Sequence, residues 1–87
     1  MNKHLNIKIT GQVHGVGFRF TAHEQYVDLG LQGKAENIPE GILLDVEGPE
    51  DKLNQLIEWA HKGPSGARVQ NVEVTELSEP FVPLKMG

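Results

Sequence analysis

The chain has 87 residues, no cysteine and a net charge of −4, from eight Lys and Arg against twelve Asp and Glu. This length accommodates one small domain, and we expect residues 1–87 to form it. The lack of cysteine excludes disulfides and thiolate chemistry, and the acidic balance argues against nucleic acid as a partner, because binding to a phosphate backbone needs a basic surface.

The N-terminal residues, MNKHLNIKIT, alternate polar and apolar side chains and lack the apolar segment of a signal peptide. The longest aliphatic run, residues 42–44, is far too short to cross a bilayer. We therefore expect a cytoplasmic monomer that has no membrane partner.

The first part of the chain predicts a strand, a glycine-rich bend and a helix. Residues 5–13 carry apolar side chains with period two, which is typical of a half-buried strand, and residues 14–18 form the bend. The apolar stripe of the helix consists of Phe18, Ala22, Tyr26 and Leu29. Thr21 and Glu24 match a capping box, T-x-x-E, that would begin the helix at Thr21, but a start near Phe18 is equally open.

A hairpin follows. Residues 31–35 and 42–46 have the pattern of short strands, and the segment ENIPEG between them has the composition of a turn. A second helix begins near Pro49 and stops at Gly63-Pro64. Its buried stripe consists of Leu53, Leu56, Ile57 and Ala60.

The last strand covers residues 68–77. Its apolar pattern slips between Val69 and Val72, which indicates a β-bulge or a late start of the strand. Residues 80–87 contain two prolines and form a tail or a short edge strand. The order βαββαβ predicts an α+β fold, the ferredoxin-like split βαβ sandwich, in which two helices cover one face of a four-stranded antiparallel sheet.

The bend VHGVGFR leads from the first strand to the N-terminus of a helix, where free backbone N–H groups and the helix dipole favour an anion. Gly15 and Gly17 allow successive N–H groups to point inward as a nest. Arg19 adds a guanidinium that matches two phosphate oxygens. The alternative is a tight β-to-α turn with a surface arginine. The bend is not a P-loop, because no Lys-Ser/Thr pair follows the glycines.

This bend and the segments around it resemble the acylphosphatase family, whose pattern runs G-x-V-Q-G-V-x-F-R and then A-x-x-x-G-L-x-G-x-V-x-N-x-x-D-G. The resemblance covers nearly the whole chain. The matching residues are Gly11, Val13, Gly15, Val16, Phe18, Arg19, Gly30, Leu31, Gly33, Asn37, Gly41, Gly48, Gly63, Pro64, Ala67 and Val69.

The resemblance implies hydrolysis of small acyl phosphates to a carboxylate and inorganic phosphate, without a metal or another cofactor. It implies that the backbone of residues 14–19 cradles the phosphate, that Arg19 binds it, and that Asn37 orients the attacking water. The residues implied to bind substrate are therefore His14, Gly15, Val16, Gly17, Phe18 and Arg19.

We single out three residues that differ from those usual in the family. His14 stands where Gln is common, and we expect a partly exposed turn residue there. Glu36 replaces a basic residue, and strand alternation predicts that it points away from the face of Asn37. Glu40 replaces the Asp before Gly41.

Two other functions are open. One is a non-catalytic module of the same fold that binds phosphate or another anion, or that regulates. The other, an RNA-binding domain, is disfavoured because the first and third strands lack aromatic residues. His4, His23 and His61 show no metal-ligand spacing, and we expect them to be solvated.

Overall fold

A computed structural model describes residues 2–79 of the chain. In chain order the elements are β1 (Asn2–Gln12), α1 (Phe18–Asp28), β2 (Gln32–Ile38), β3 (Gly41–Pro49), α2 (Glu50–Lys62) and β4 (Arg68–Leu77). The predicted order βαββαβ is confirmed. Neither helix in this part of the chain is long and apolar enough to cross a membrane.

The four strands form one sheet in the order β2-β3-β1-β4, and every neighbouring pair is antiparallel. Alternate residues of β1, including Ile7 and Ile9, are buried on the face that the helices cover. Leu44 and Ile42 lie opposite them on β3, so the two central strands supply the middle of the core. The prediction of two helices on one face of the sheet is confirmed.

The start of α1 differs from the capping-box prediction. The helix begins at Phe18, and its N-cap is Gly17, which has a left-handed backbone with φ of 74°. The hydroxyl of Thr21 donates to the carbonyl oxygen of Gly17 at 2.9 Å. It therefore does not accept a hydrogen bond from a backbone N–H group, as a capping residue would. The capping box at Thr21 is therefore wrong.

The end of α1 agrees with the prediction for Gly30. The N–H of Gly30 donates to the Val27 carbonyl and that of Leu31 to the Tyr26 carbonyl, both at 2.9 Å. With φ of 76° at Gly30, these bonds form a Schellman motif. The motif turns the chain directly into β2.

A β-bulge lies where the pattern of the last strand slips. Thr10 pairs with Asn71 but Gly11 pairs with Val69, so Gln70 is the extra residue. A side chain at Gly11 would lie 2.3 Å from the Arg68 carbonyl oxygen, which explains why this position is glycine. The predicted bulge is confirmed, and it lies close to the bend that follows β1.

His4 contradicts the prediction that it is solvated. It is buried against the outer face of the sheet, and its ring bonds to the carboxylate of Asp45 and to the carbonyl of Glu79. Burial lowers the pKa of His4, but these hydrogen bonds and the charges of Asp45 and Glu47 outweigh burial and raise the pKa above its usual value. Residues 80–87, predicted as a tail or an edge strand, lie outside the described residues.

Candidate active site

The bend between β1 and α1 has an alternating backbone. Gly15 and Gly17 both have φ of 74°, and no residue other than glycine in the described chain has positive φ. The sign of φ therefore alternates through residues 14–17 before the helix begins. Alternation of this kind turns successive N–H groups toward one point, which is the geometry of an anion-binding nest.

The space above the two glycines is open. A Cβ atom on Gly15 or Gly17 would meet no atom within 4 Å. Glycine is therefore needed at these positions for the backbone conformation, since an L-residue in the left-handed region costs about 1 kcal/mol or more.

The residues between and after the glycines hold the bend in place. Val16 packs against the core from a half-buried position. The ring of Phe18 is 1% exposed and meets the ring of Trp59 edge to face, with centroids 5.3 Å apart. The side chain of Phe18 is thus unavailable to a ligand, and only its backbone can contribute to the predicted cradle.

Arg19 lies in the first turn of α1 and is exposed. Among the described residues it makes no salt bridge, although the protein is acidic overall. No acidic residue lies in this turn and no side chain caps the helix. A guanidinium and the positive end of the helix dipole therefore lie together without an anion. The bend is a local positive site on an acidic protein.

Asn37 lies on the edge strand β2 at the same end of the sheet. It pairs with Ile42, which in turn pairs with Ile9 near the end of β1. Since directly paired residues share a face, Asn37 lies on the helix-covered face. Its side chain is exposed and has no hydrogen-bond partner within residues 2–79. The fold thus brings Asn37 and the bend to one end and one face of the sheet.

His14 ties the bend to the hairpin, a role that the sequence did not reveal. Its Nε2–H donates to the carbonyl oxygen of Gly41 at 2.8 Å. Gly41 pairs with Ile38, the neighbour of Asn37, and a Cβ at Gly41 would lie 1.9 Å from the Ile9 carbonyl oxygen. His14 therefore positions the bend relative to the strand that carries Asn37. Only the contact across 27 residues could have identified this role.

Glu36 and Glu40, the two acidic residues that differ from those usual in the family, point away from the bend. Glu36 pairs with Leu43, opposite Lys8 on β1, and so lies on the outer face of the sheet, as strand alternation predicts. The carboxylate of Glu40 bonds to the Lys8 ammonium at 3.1 Å. A hydrogen bond from its own backbone N–H, followed by the Lys8 contact, lowers the pKa of Glu40. Glu40 is therefore ionised and paired at neutral pH.

No group of three or more His, Asp or Glu side chains that could hold a metal ion is found within the part of the chain that the structure describes. Beside the bend, the polar groups that have no side-chain partner among residues 2–79 include the backbone N–H groups of the first turn of α1, the Arg19 guanidinium and the Asn37 amide. Groups of these three kinds can bind and orient an anion, and none of them is a base at neutral pH.

Comparison with known proteins shows the family of the chain. The model of the family described as Acylphosphatase matches residues 5–82. The chain is 45% identical over 76 residues to an acylphosphatase of Deinococcus radiodurans, a match that covers 86% of each protein. The fold is similar to that of an acylphosphatase from Coxiella burnetii, with a TM-score of 0.88 and 29% identity over 94% of this chain and 87% of that one. It is also similar to the Bacillus subtilis acylphosphatase, with a TM-score of 0.79 and 28% identity over 92% and 89% of the two chains. The chain therefore belongs to the acylphosphatase family.

Proposed function

We propose that the protein hydrolyses the carboxyl-phosphate bond of small acyl phosphates at the bend of residues 14–19, with Arg19 and Asn37 as its catalytic residues. The observation that carries the proposal is that Arg19, which makes no salt bridge within residues 2–79, lies beside the alternating backbone of the bend. The phosphate is held by the N–H groups of the bend and by the guanidinium. Inorganic phosphate, one of the two products, binds at the same place.

The electrostatics support phosphate as the ligand. Hydrogen bonds to charged groups contribute about 1.5–3 kcal/mol each, and a bidentate guanidinium supplies two of them. The N–H groups of the first turn of α1 have no side-chain cap to compete with the phosphate. A rigid arrangement of donors of this kind also stabilises the equatorial oxygens when charge redistributes in the transition state.

Asn37 is proposed to hold the attacking water. Its amide can accept a hydrogen bond from water and donate one to a phosphate oxygen, but it takes no proton at neutral pH. Its contribution is therefore positioning, which is the main requirement of phosphoryl transfer. His14 contributes indirectly, because its bond to Gly41 fixes the bend relative to β2.

The reaction balances without a protein acid or base. The water oxygen forms a bond to phosphorus while the bond between phosphorus and the acyl oxygen breaks. The acyl group leaves as a carboxylate, which is a weak base and needs no protonation. One proton of the water stays on the attacking oxygen, and the other passes to another oxygen of the phosphate. No step requires a metal ion.

The test is hydrolysis of acetyl phosphate by the purified protein in the presence of EDTA, with inorganic phosphate as a competitor. We expect turnover that EDTA leaves intact and that phosphate inhibits competitively. A folded protein that binds phosphate saturably without turnover would instead identify a non-catalytic anion-binding module.

We also propose that residues 1–87 act as a single domain and as a cytoplasmic monomer. The described part of the chain exposes three large apolar side chains, Phe20 and Val27 on α1 and Val74 on β4, which is a small apolar surface. The acidic net charge also favours a dispersed protein. Sedimentation equilibrium of the purified chain gives the mass, and a dimer would refute the monomer.

A further inference from the structure

A groove of about 430 Å³ runs beside the candidate active site, between α1 and the edge strand β2. Its lining includes Arg19, Phe20, His23, Tyr26, Lys34 and Ala35. Arg19 belongs to both the groove and the phosphate site, so the two are continuous. The lining contains basic and aromatic side chains but no carboxylate, and it therefore does not repel a bound or departing carboxylate.

Packing in the core does not explain the aromatic side chain of Phe20. It is 68% exposed, whereas Phe18, two residues before it, is 1% exposed and completes the core. A phenyl ring left in water forgoes most of the free energy that burial would give it. It lies directly after Arg19 and faces the groove, which is the position for a contact with a ligand that Arg19 holds.

Hydrogen bonds and a ring contact hold the floor of the groove together. The hydroxyl of Tyr26 donates to the Gly33 carbonyl oxygen at 3.2 Å and accepts a hydrogen bond from Nδ1 of His23 at 2.7 Å. The two rings meet edge to face, with centroids 5.0 Å apart. Burial raises the pKa of Tyr26, so its hydroxyl keeps the proton that it donates to β2. These bonds fix the distance between α1 and β2.

We propose that this groove binds the acyl part of the substrate, and that Phe20 makes the protein select acyl groups with an aromatic ring over acetyl. This inference rests on the proposed function. In-line attack requires only the bridging acyl oxygen to lie opposite the water. The rest of the acyl group, beyond its carbonyl carbon, is free to turn onto the groove. An aromatic acyl group then packs against Phe20 and Ala35.

The experiment compares kcat/KM for benzoyl phosphate and for acetyl phosphate in wild type and in Phe20→Ala. Aromatic contacts predict that the substitution lowers the ratio of the two values, benzoyl to acetyl, roughly two- to tenfold. The matched control is Val27→Ala on the same helix, which removes another exposed apolar side chain, 52% exposed, outside the groove. Phe20→Tyr restores the ratio. An unchanged ratio in Phe20→Ala, or an equal change in Val27→Ala, overturns the inference.

A binding measurement separates this inference from the proposed function. In benzoylphosphonate and acetylphosphonate the acyl carbon is bonded directly to phosphorus, without the bridging oxygen, so that hydrolysis cannot occur. Calorimetry gives their dissociation constants. Tighter binding of benzoylphosphonate that depends on Phe20 supports the groove even in a protein without turnover. Equal binding of the two phosphonates overturns it even in an active enzyme.

Discussion

The two helices begin at opposite ends of the sheet, and their first turns are built in opposite ways. α2 starts with Glu50 and Asp51, the charges that a helix N-terminus favours, and Glu50 also pairs with the Lys3 ammonium at 3.0 Å. α1 starts after a left-handed glycine, has no acidic residue in its first turn, and instead carries Arg19.

The same contrast extends to the strands beside each helix. Around the start of α2, Lys3 contacts Glu50 and Glu76, and His4 is held by Asp45 and Glu79. Around the start of α1, neither Arg19 nor the amide of Asn37 has a partner within residues 2–79. One end of the sheet is arranged for stability. The other end leaves these two polar groups without a partner in that part of the chain, and this contrast supports the proposal that the ligand binds there.

The largest expected effect comes from Arg19→Gln, which removes the guanidinium. We expect acyl phosphate hydrolysis to fall by more than about 10³-fold, because the contact serves both binding and the transition state. The free energy of unfolding should stay constant or rise by up to about 0.5 kcal/mol, because a positive charge leaves a helix N-terminus. Kinetics and urea denaturation measure the two quantities.

The other arginine of the chain provides the control. Arg68 is exposed at the start of β4, where it pairs with Gln12 at the same end of the sheet but outside the bend, and Arg68→Gln should retain wild-type turnover. Equal losses in the two variants would show that the effect reflects overall charge and would remove the contrast between the two ends.

A smaller effect is expected from Asn37→Ala, which removes the amide proposed to hold water. Loss of one oriented hydrogen bond in the transition state predicts a decrease in kcat of about 10²–10³-fold. The inhibition constant of inorganic phosphate should change little, since Arg19 and the bend remain. Asn54→Ala, at an exposed position on α2, is the control and should leave kcat unchanged. Parallel changes in kcat and in phosphate inhibition would contradict a role in orienting water.

Two glycines with nearly the same φ angle allow the conformation of the bend to be tested. Gly17 has φ of 74° and Gly30 has φ of 76°, and a Cβ at either would meet open space. Alanine at each should therefore lower the free energy of unfolding by a similar amount, about 1 kcal/mol. Only Gly17→Ala should also lower kcat/KM, about tenfold or more, because it displaces N–H groups of the cradle. Equal activity in the two variants would refute the nest.

The smallest expected effect is on how the free energy of unfolding depends on pH. It comes from His4, at the end of the sheet where α2 begins. The pKa of folded His4 lies above the ordinary value of 6.5, so the folded protein binds the proton more tightly than the unfolded chain. Its contribution to stability is complete below pH 6.5 and disappears as pH rises through the higher folded pKa. Urea denaturation between about pH 6 and 9 should show falling stability in wild type and a smaller decrease in His4→Gln. The same decrease in both proteins would contradict this role.

The strands and the second helix were predictable because their signals are local. The period-two pattern of β1 predicted which residues face the core, and the slip between Val69 and Val72 predicted the bulge that Gln70 forms. The first residue of α1 was harder to predict. Thr21 and Glu24 imitate a capping box, but the Thr21 hydroxyl donates backward to Gly17.

Contacts between distant residues were not predictable from one sequence. His4 meets Asp45 across 41 residues and His14 meets Gly41 across 27, and neither histidine has a local sign of its partner. The position of Asn37 near the bend depends on two registers, β2 with β3 and β3 with β1. A role for Asn37 therefore came from the family resemblance, while the residues of the bend carried their own signal in Gly15, Gly17 and Arg19.

Titration of the ¹⁵N-labelled protein with inorganic phosphate, observed through its backbone amide signals, tests directly whether the bend at the start of α1 binds the anion. We expect saturable shifts in the amides of residues 15–19, none in the first turn of α2, and loss of these shifts in Arg19→Gln. Equal shifts at the starts of both helices, or none in the bend, would contradict this prediction.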